Sequence, residues 1–279
     1  MDSFELSKSL TQVLENFQRC GLRRVQRGAA SEALLEAVDR VLGAEEETPS
    51  PASAPVRNEP QPATAPAPSR KVATKAPPAT PKQWSLPVLE DAERERRLTA
   101  LSAEVKQCRS CTEIFNFRQQ TVFGCGPVRP KICFMGEAPG ADEDRQGEPF
   151  VGRAGQLLTK IIGAMQLKRE EVFILNALKC RPPQNRTPVP EEIDHCRGYV
   201  ESQLEVLQPE YLVCLGAVAV QSLLQTKQPV GRLRGRFHAY RGAKVVVTYH
   251  PSYLLRNADA KKFVWDDMKM LMKDIGVEL

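Results

Sequence analysis

The rhythm of apolar residues divides the chain into three parts. Phe4, Leu6, Leu10, Val13, Leu14 and Phe17 recur at helical spacing, and Leu34, Leu35, Val38 and Leu42 do so again, with Gly21 and Gly28 between the two groups. The pattern predicts an amphipathic helical segment over residues 1–45, two helices that can form a small hairpin. Its apolar stripe can dock a protein partner, pack on the rest of the chain or associate with itself. The rhythm then stops, because residues 48–87 hold half of the 22 prolines among Ala, Ser, Thr and scattered Lys or Arg. Such a composition buries too little apolar surface to fold, so residues 46–90 are expected to form a disordered Pro/Ala-rich linker.

Periodicity returns with a helical pattern at 93–107. Four short apolar runs follow, at 131–135, 172–175, 211–215 and 245–248, and helical patterns stand at 155–165, 190–207, 217–224 and 260–275. Strands that alternate with helices predict a parallel sheet covered on both faces, here occupying residues 91–279. A domain of that kind places its chemistry beyond the carboxyl ends of its strands.

Composition narrows the class. The chain has 279 residues, 42% of them hydrophobic, and no apolar run approaches the roughly 20 residues of a membrane span. The opening MDSFELSKSL mixes acids with apolar positions and lacks the basic start and apolar core of a secretory signal. A soluble protein of the cytoplasm, associated with the nucleoid and not with a membrane, is the expectation. In a reducing compartment the eight cysteines read as thiols or metal ligands, not disulfides. Residues 1–100 carry 14 basic and 14 acidic side chains, and the remainder 25 and 20, so the whole excess of +5 lies in the second part. Arg232, Arg234, Arg236, Arg241 and Lys244 crowd a Gly-punctuated loop there, with Arg256, Lys261 and Lys262 after the last strand. Clustered cations beside a ligand site suit a phosphate backbone, although a charge run is also a common solvated face.

The strand ends hold the candidate chemistry. The first delivers Gly136 and Glu137 into the stretch GEAPGADEDRQGEPFVGRAGQLL, the second Asn176 followed by Lys179, Cys180 and Arg181, the third Gly216, and the fourth Tyr249, His250, Pro251 and Ser252. Glycines admit a ligand close to backbone amides, and carboxylates are costly to crowd unless they activate water, bind cations or face solvent. Asp142 and Glu148 are expected to face solvent. Asn176 offers a donor and an acceptor from one rigid amide, suited to the edge of a planar base. His250 can donate to an oxygen that becomes negative, against the alternative of an ordinary capping or core histidine.

A second constellation is sulfur. Cys108 and Cys111 form a CxxC after the first helix of the domain, and Cys180 and Cys196 flank the loop CRPPQNRTP. Four thiolates from two places can close a tetrahedral zinc site or hold a 4Fe-4S cluster, and the spacing does not choose between them. Cys133 and Cys214 read as small core residues, while Cys125 and Cys20 have no such partners.

Taken together, GEAPGADEDRQGEPFVGRAGQLL, NALKCRPPQNRTP and HPSYLL, with the four spaced cysteines, closely resemble the family 4 uracil-DNA glycosylases, the iron-sulfur type, over residues 93–279. The resemblance implies a three-layer α/β/α domain with a four-stranded parallel sheet. It implies a monofunctional enzyme of base excision repair that flips uracil out of DNA and hydrolyses its N-glycosidic bond, leaving an abasic site and acting as a monomer. By that resemblance Gly136, Ala138 and Pro139 line the uracil pocket, Phe150 stacks on the base, Asn176 reads its Watson-Crick edge and Ser252 contacts substrate. His250 donates to the uracil oxygen, Glu137 and Glu143 are the candidates to position water and balance a cationic sugar, and Cys108, Cys111, Cys180 and Cys196 ligate a 4Fe-4S cluster of structural role. Residues 252–256 are placed to enter the gap left in the duplex, with Leu254 or Leu255 as the wedge. A related branch that bonds covalently to DNA carries a basic insert with a histidine after the acidic loop; here GEPFVGRAGQ follows directly, which favours simple hydrolysis. The alternatives are a non-catalytic DNA-binding or polymerase-associated iron-sulfur protein, and an electron carrier that would leave Asn176 and His250 without a purpose.

Overall fold

A computed structural model describes residues 83–277. The expected N-terminal helical segment, residues 46–82 of the expected linker, and Cys20 lie outside the described residues. The elements in chain order are α1 (Asp91–Gln107), α2 (Thr112–Phe117), β1 (Ile132–Gly136), α3 (Ala141–Gln146), α4 (Arg153–Ala164), β2 (Phe173–Asn176), α5 (Pro190–Leu207), β3 (Tyr211–Leu215), α6 (Ala217–Leu224), α7 (Val230–Leu233), β4 (Phe237–Tyr240), β5 (Ala243–Thr248), α8 (Pro251–Arg256) and α9 (Lys261–Ile275). Among the described residues no helix is long and apolar enough to cross a membrane.

The sheet runs β2-β1-β3-β5-β4, with β1, β2, β3 and β5 parallel and β4 antiparallel at the edge. Strand alternation splits the core into two layers. Cys133 and Met135 of β1, Leu212 and Cys214 of β3, and Val245 and Val247 of β5 pack with Ile193, Val200 and Leu204 of α5 on one face. Ile132 and Phe134, Tyr211 and Val213, and Val246 meet Leu158 and Ile162 of α4 and Val264, Met268 and Leu271 of α9 on the other. The three-layer α/β/α architecture thus follows from β-strands that are apolar on both sides. Because β2 and β3 lie on opposite sides of β1, the chain reverses direction across the sheet at the β1–β3 boundary, and a crevice opens beyond those strand ends.

Two expectations change. Residues 232–244 are not a loop: they hold the end of α7, all of β4 and the start of β5, so the sheet gains a fifth, antiparallel strand beside the expected four, and the hairpin turn passes through Arg241 at φ 48°. Four residues flanked by arginines carry no readable strand pattern, and pairing with β5 supplies the order that local sequence lacks. The linker also ends earlier than residue 90. Trp84 sets its ring edge-on to Tyr240 at 6.2 Å, Leu86 N–H donates to Glu205 Oε1 at 2.6 Å and Leu89 is buried. Beneath them the buried Arg94 donates to the carbonyls of Leu89, Val206 and Leu207, so residues 84–89 are strapped to α5 by groups distant in sequence.

Candidate active site and cysteine cavity

A cavity of about 630 Å³ occupies the crevice, lined among others by Glu137, Ala138, Pro139, Phe150, Asn176, His250 and Ser252. The residues expected to form one site therefore stand in one place. Register explains the first contact. Gly136 pairs with Asn176 at the ends of β1 and β2, and a Cβ on Gly136 would lie 2.4 Å from both Asn176 Oδ1 and the Phe150 ring. Only glycine leaves that plane open between amide and ring.

Asn176 is 2% exposed, yet its Oδ1 has no hydrogen-bond partner among the described residues. A buried acceptor without a donor costs about 1–3 kcal/mol, so its presence points to a ligand that supplies an N–H. Its backbone is held from behind, where the fully buried Lys179 donates to the Asn176 carbonyl at 3.0 Å and to the Phe123 carbonyl at 3.3 Å. Burial pulls the Lys179 ammonium down to about 7, against the opposite influence of Cys196 and Cys180.

Phe150 reaches the cavity through a left-handed backbone, φ 55°. Its carbonyl rests on the first turn of α4, where a Cβ on Gly155 would come within 1.8 Å of it. The Phe150 ring lies 5.5 Å from the His250 ring at a tilt of 34°. His250 caps α8. The Ser252 N–H donates to His250 Nδ1 at 3.2 Å and Ser252 Oγ lies 2.8 Å from the same atom. Nδ1 is thereby an acceptor, which puts the imidazole proton on Nε2. Burial, helped by the charge of Arg256, lowers its pKa to about 4, so His250 is a neutral donor at pH 7. Ser252, expected at the substrate, lines the cavity but spends its hydrogen bonds on fixing this tautomer.

The acids separate by environment. Burial raises the pKa of Glu137. Glu143 has a task that the sequence did not reveal: its carboxylate accepts from Gly140 N–H at 3.0 Å, Val151 N–H at 3.0 Å and Gly152 N–H at 2.9 Å. One buried side chain so clamps both ends of the acidic loop and holds Phe150 between them, and its oxygens are occupied without water. Asp144 is buried and accepts from Gln119 and Gln120 N–H. Asp142 and Glu148 are half-exposed and ion-paired with Arg145 and Arg169.

Helix α8 corrects the wedge. Leu254 is 2% exposed and belongs to the core with α4 and α9, whereas Leu255 is 44% and Tyr253 40% exposed. Of the two leucines only Leu255 is free to enter a duplex, because one turn of helix cannot point neighbouring side chains the same way.

Cys108 ends α1, Cys111 caps α2, Cys180 follows the β2 turn and Cys196 lies on α5. All four line one small cavity with His195 and Arg118. Arg118 donates to Cys180 Sγ at 2.7 Å, and Cys111 Sγ is 3.4 Å from His195 Nδ1. Burial, reinforced by the neighbouring thiols and Glu192, pushes Cys111 up to about 12. A metal centre bound at such thiols would displace their protons. Among the described residues no group of three Cys, His, Asp or Glu converges on a single-ion site. Four cysteines that line one cavity can hold either a zinc ion or a 4Fe-4S cluster. Cys133 and Cys214 are buried in the core as expected.

Comparison with known proteins gives the same picture. The family model described as the uracil DNA glycosylase superfamily matches residues 123–269. A type-4 uracil-DNA glycosylase of Thermotoga maritima is 41% identical over 180 residues, 63% of this chain and 93% of that protein. Another from Archaeoglobus fulgidus is 39% identical over 176 residues, 60% of this chain and 88% of that protein. A type-5 uracil-DNA glycosylase of Pyrobaculum aerophilum is 28% identical over 195 residues, 63% and 85% respectively. The chain belongs to the uracil-DNA glycosylase superfamily.

Several groups that shape this superfamily site were not singled out in the sequence. Arg118 and His195 reach the cysteine cavity, and Arg186, which lines the crevice, is pinned by Glu192 at 2.7 and 2.9 Å and Glu113 at 2.7 Å. Nothing local marks them, since their partners lie up to 84 residues away. The Glu143 clamp gives a direct test. Glu143→Ala strands three main-chain donors and should cost about 3 kcal/mol or more, read as a lower urea midpoint. An unchanged midpoint would mean that the carboxylate does not hold the loop.

Proposed function

We propose that this protein excises uracil from DNA by hydrolysing the N-glycosidic bond, leaving an abasic site. The orphaned Asn176 Oδ1 carries the reading. Uracil presents an N3–H to such an acceptor and a carbonyl to the same amide's Nδ2, whereas cytosine presents a bare N3 and an amino group, leaving Oδ1 unpaired. Phe150 offers its face to the ring, and Gly136 leaves the gap into which the base slides. The base must leave the duplex to arrive there, at about a few kcal/mol, less when it is mispaired. Arg153, Arg186 and Arg256 on the rim suit the phosphates of the extruded nucleotide.

As the glycosidic bond breaks, its electron pair moves onto the base and the sugar becomes cationic. His250 Nε2–H donates to the uracil oxygen that gains this charge, and a neutral imidazole can do so without being an acid. Glu137, whose carboxylate is not tied down as Glu143 is, orients the attacking water and faces the cationic sugar. Glu143 and Ser252 position these groups from behind. Loss of a proton from the water and its transfer to the departing base complete the hydrolysis.

Cys108, Cys111, Cys180 and Cys196 would hold a 4Fe-4S cluster. When bound, it cross-links α1, α2, the Cys180 turn and α5 through four iron–thiolate bonds. Arg118 supplies positive charge beside those thiolates, and the buried Lys179 braces the Asn176 backbone.

Incubation with a uracil-containing oligonucleotide followed by alkali should cut the strand at uracil and not at cytosine or thymine. Asn176→Ala should slow this on the order of a hundredfold or more, and an uncut strand with the native protein would overturn the reading. Because His250 is neutral down to about pH 4, protonation removes the active form only as pH falls toward that value. The rate should therefore show no imidazole step near 6.5, and any acid limb that Glu137→Gln abolishes belongs to the Glu137 carboxyl, which burial raises; a limb centred near 6.5 that persists in Glu137→Gln would mean that the imidazolium takes part. The purified protein should absorb broadly in the visible, with iron and sulfide in equal amounts, and Cys180→Ser should abolish both colour and part of the thermal stability. A colourless protein holding zinc would refute the cluster.

A further inference from the structure

On its far side helix α8 walls a second cleft, of about 370 Å³, within the range of about 300–1,000 Å³ usual for ligand clefts. It shares Tyr249, Tyr253 and Arg256 with the first cavity, so the two adjoin at the helix. Its sides are aromatic and uncovered. Tyr253 is 40% and Phe263 38% exposed, while Tyr249 between them stacks on Tyr253 at 5.2 Å and lies 6.4 Å from Phe263. Arg256 and Lys262 face the cleft against a single acid, Asp259, and Lys262 Nζ stands 5.1 Å from the centre of the Phe263 ring.

Phe263 is also held in place. Arg234 lies 4.9 Å from its ring centre and donates to its carbonyl at 2.5 Å. The same guanidinium donates from Nε to Asp267 Oδ2 at 3.1 Å, and the fully buried Asp267 in turn accepts from Thr248 Oγ1 and Gly235 N–H. A buried carboxylate network thus fixes an exposed ring that the uracil chemistry does not use. Fixed aromatic faces beside mobile cations are how proteins bind single-stranded nucleic acid: bases stack on rings while Lys and Arg track phosphates.

We propose that this cleft is a nucleotide subsite, in which the base adjoining the flipped uridine on the same strand rests against the exposed surfaces of Tyr253 and Phe263 and a neighbouring phosphate meets Arg256 and Lys262. The proposal rests on the uracil reading of the first cavity. Adjacency decides for the same strand: a strand with its uridine in that cavity that leaves past α8 meets the cleft at Tyr249, Tyr253 and Arg256.

The test uses single-stranded oligonucleotides carrying 2-aminopurine beside an uncleavable 2′-fluorouridine, titrated with the full-length protein. Its fluorescence should change on binding to the native protein for one of the two neighbours, and much less with Phe263→Ala or Tyr253→Leu. In parallel, replacing that neighbour by a baseless spacer beside a cleavable uracil should lower native kcat/KM about five- to hundredfold. Either variant should lose the same factor on the intact strand and become indifferent to the spacer. Equal fluorescence changes in native and variant proteins, native rates indifferent to both spacers, or a response only to a probe placed opposite uracil in a duplex would overturn the subsite. Absence of any excision by the native protein would instead sink the uracil reading, and the fluorescence arm would still decide whether the cleft takes a base.

Discussion

Everything at the site depends on the parallel pairing of β1 with β2, which sets Gly136 directly against Asn176. A parallel ladder fixes the spacing of two strand ends to that of the backbone hydrogen bonds. The side chain missing from one end is then the space available to the amide at the other. Shift the register by a residue and Asn176 would turn to the opposite face of the sheet, among the apolar side chains. Two thoroughly buried hydrophobic layers prevent that slip.

Around this fixed point the chain uses polar groups that are already satisfied to hold others that are not. Glu143 is saturated by main-chain donors and keeps Phe150 in a left-handed conformation. Ser252 holds one nitrogen of His250 so that the other carries the proton. Lys179 spends its hydrogen bonds on carbonyls, one of them that of Asn176. Asn176 Oδ1 is left unsatisfied at the cavity, which is how a preorganised site keeps an unmet hydrogen bond where a ligand can meet it. The cysteine cavity sits on the same β2 turn, so whatever fastens Cys180 also limits the motion of residues 176–180.

Much of the architecture could be read from the order of residues. Helix α5 begins at Pro190 with Glu192 folding back on the Val189 N–H, β1, β2 and β3 are mainly apolar runs, and Val245, Val246 and Val247 mark β5 after the exposed Lys244. Gly136, Asn176 and His250 were visible because each follows such a run. Short elements were not visible. Helices α2, α3 and α8 have six residues each, too few to display a helical period, and β4 exists only because β5 offers it an edge.

The division between sequence and structure has a physical cause. Strand positions, helix faces, the order of the strand-end residues and the spacing of the cysteines are local properties of the chain, set by the 2.0 and 3.6 residue periods and by turn chemistry. Sequence alone therefore determined an α/β domain with Glu137, Asn176 and His250 at one rim and four thiols in two pairs. Tertiary structure decided the work of each group: that Glu143 is a clamp and Leu254 core, that residues 84–89 belong to the domain, that His250 is neutral, and that Tyr253 and Phe263 face one cleft. Those outcomes depend on burial and on partners far away in the chain, and neither is written in the residues beside them.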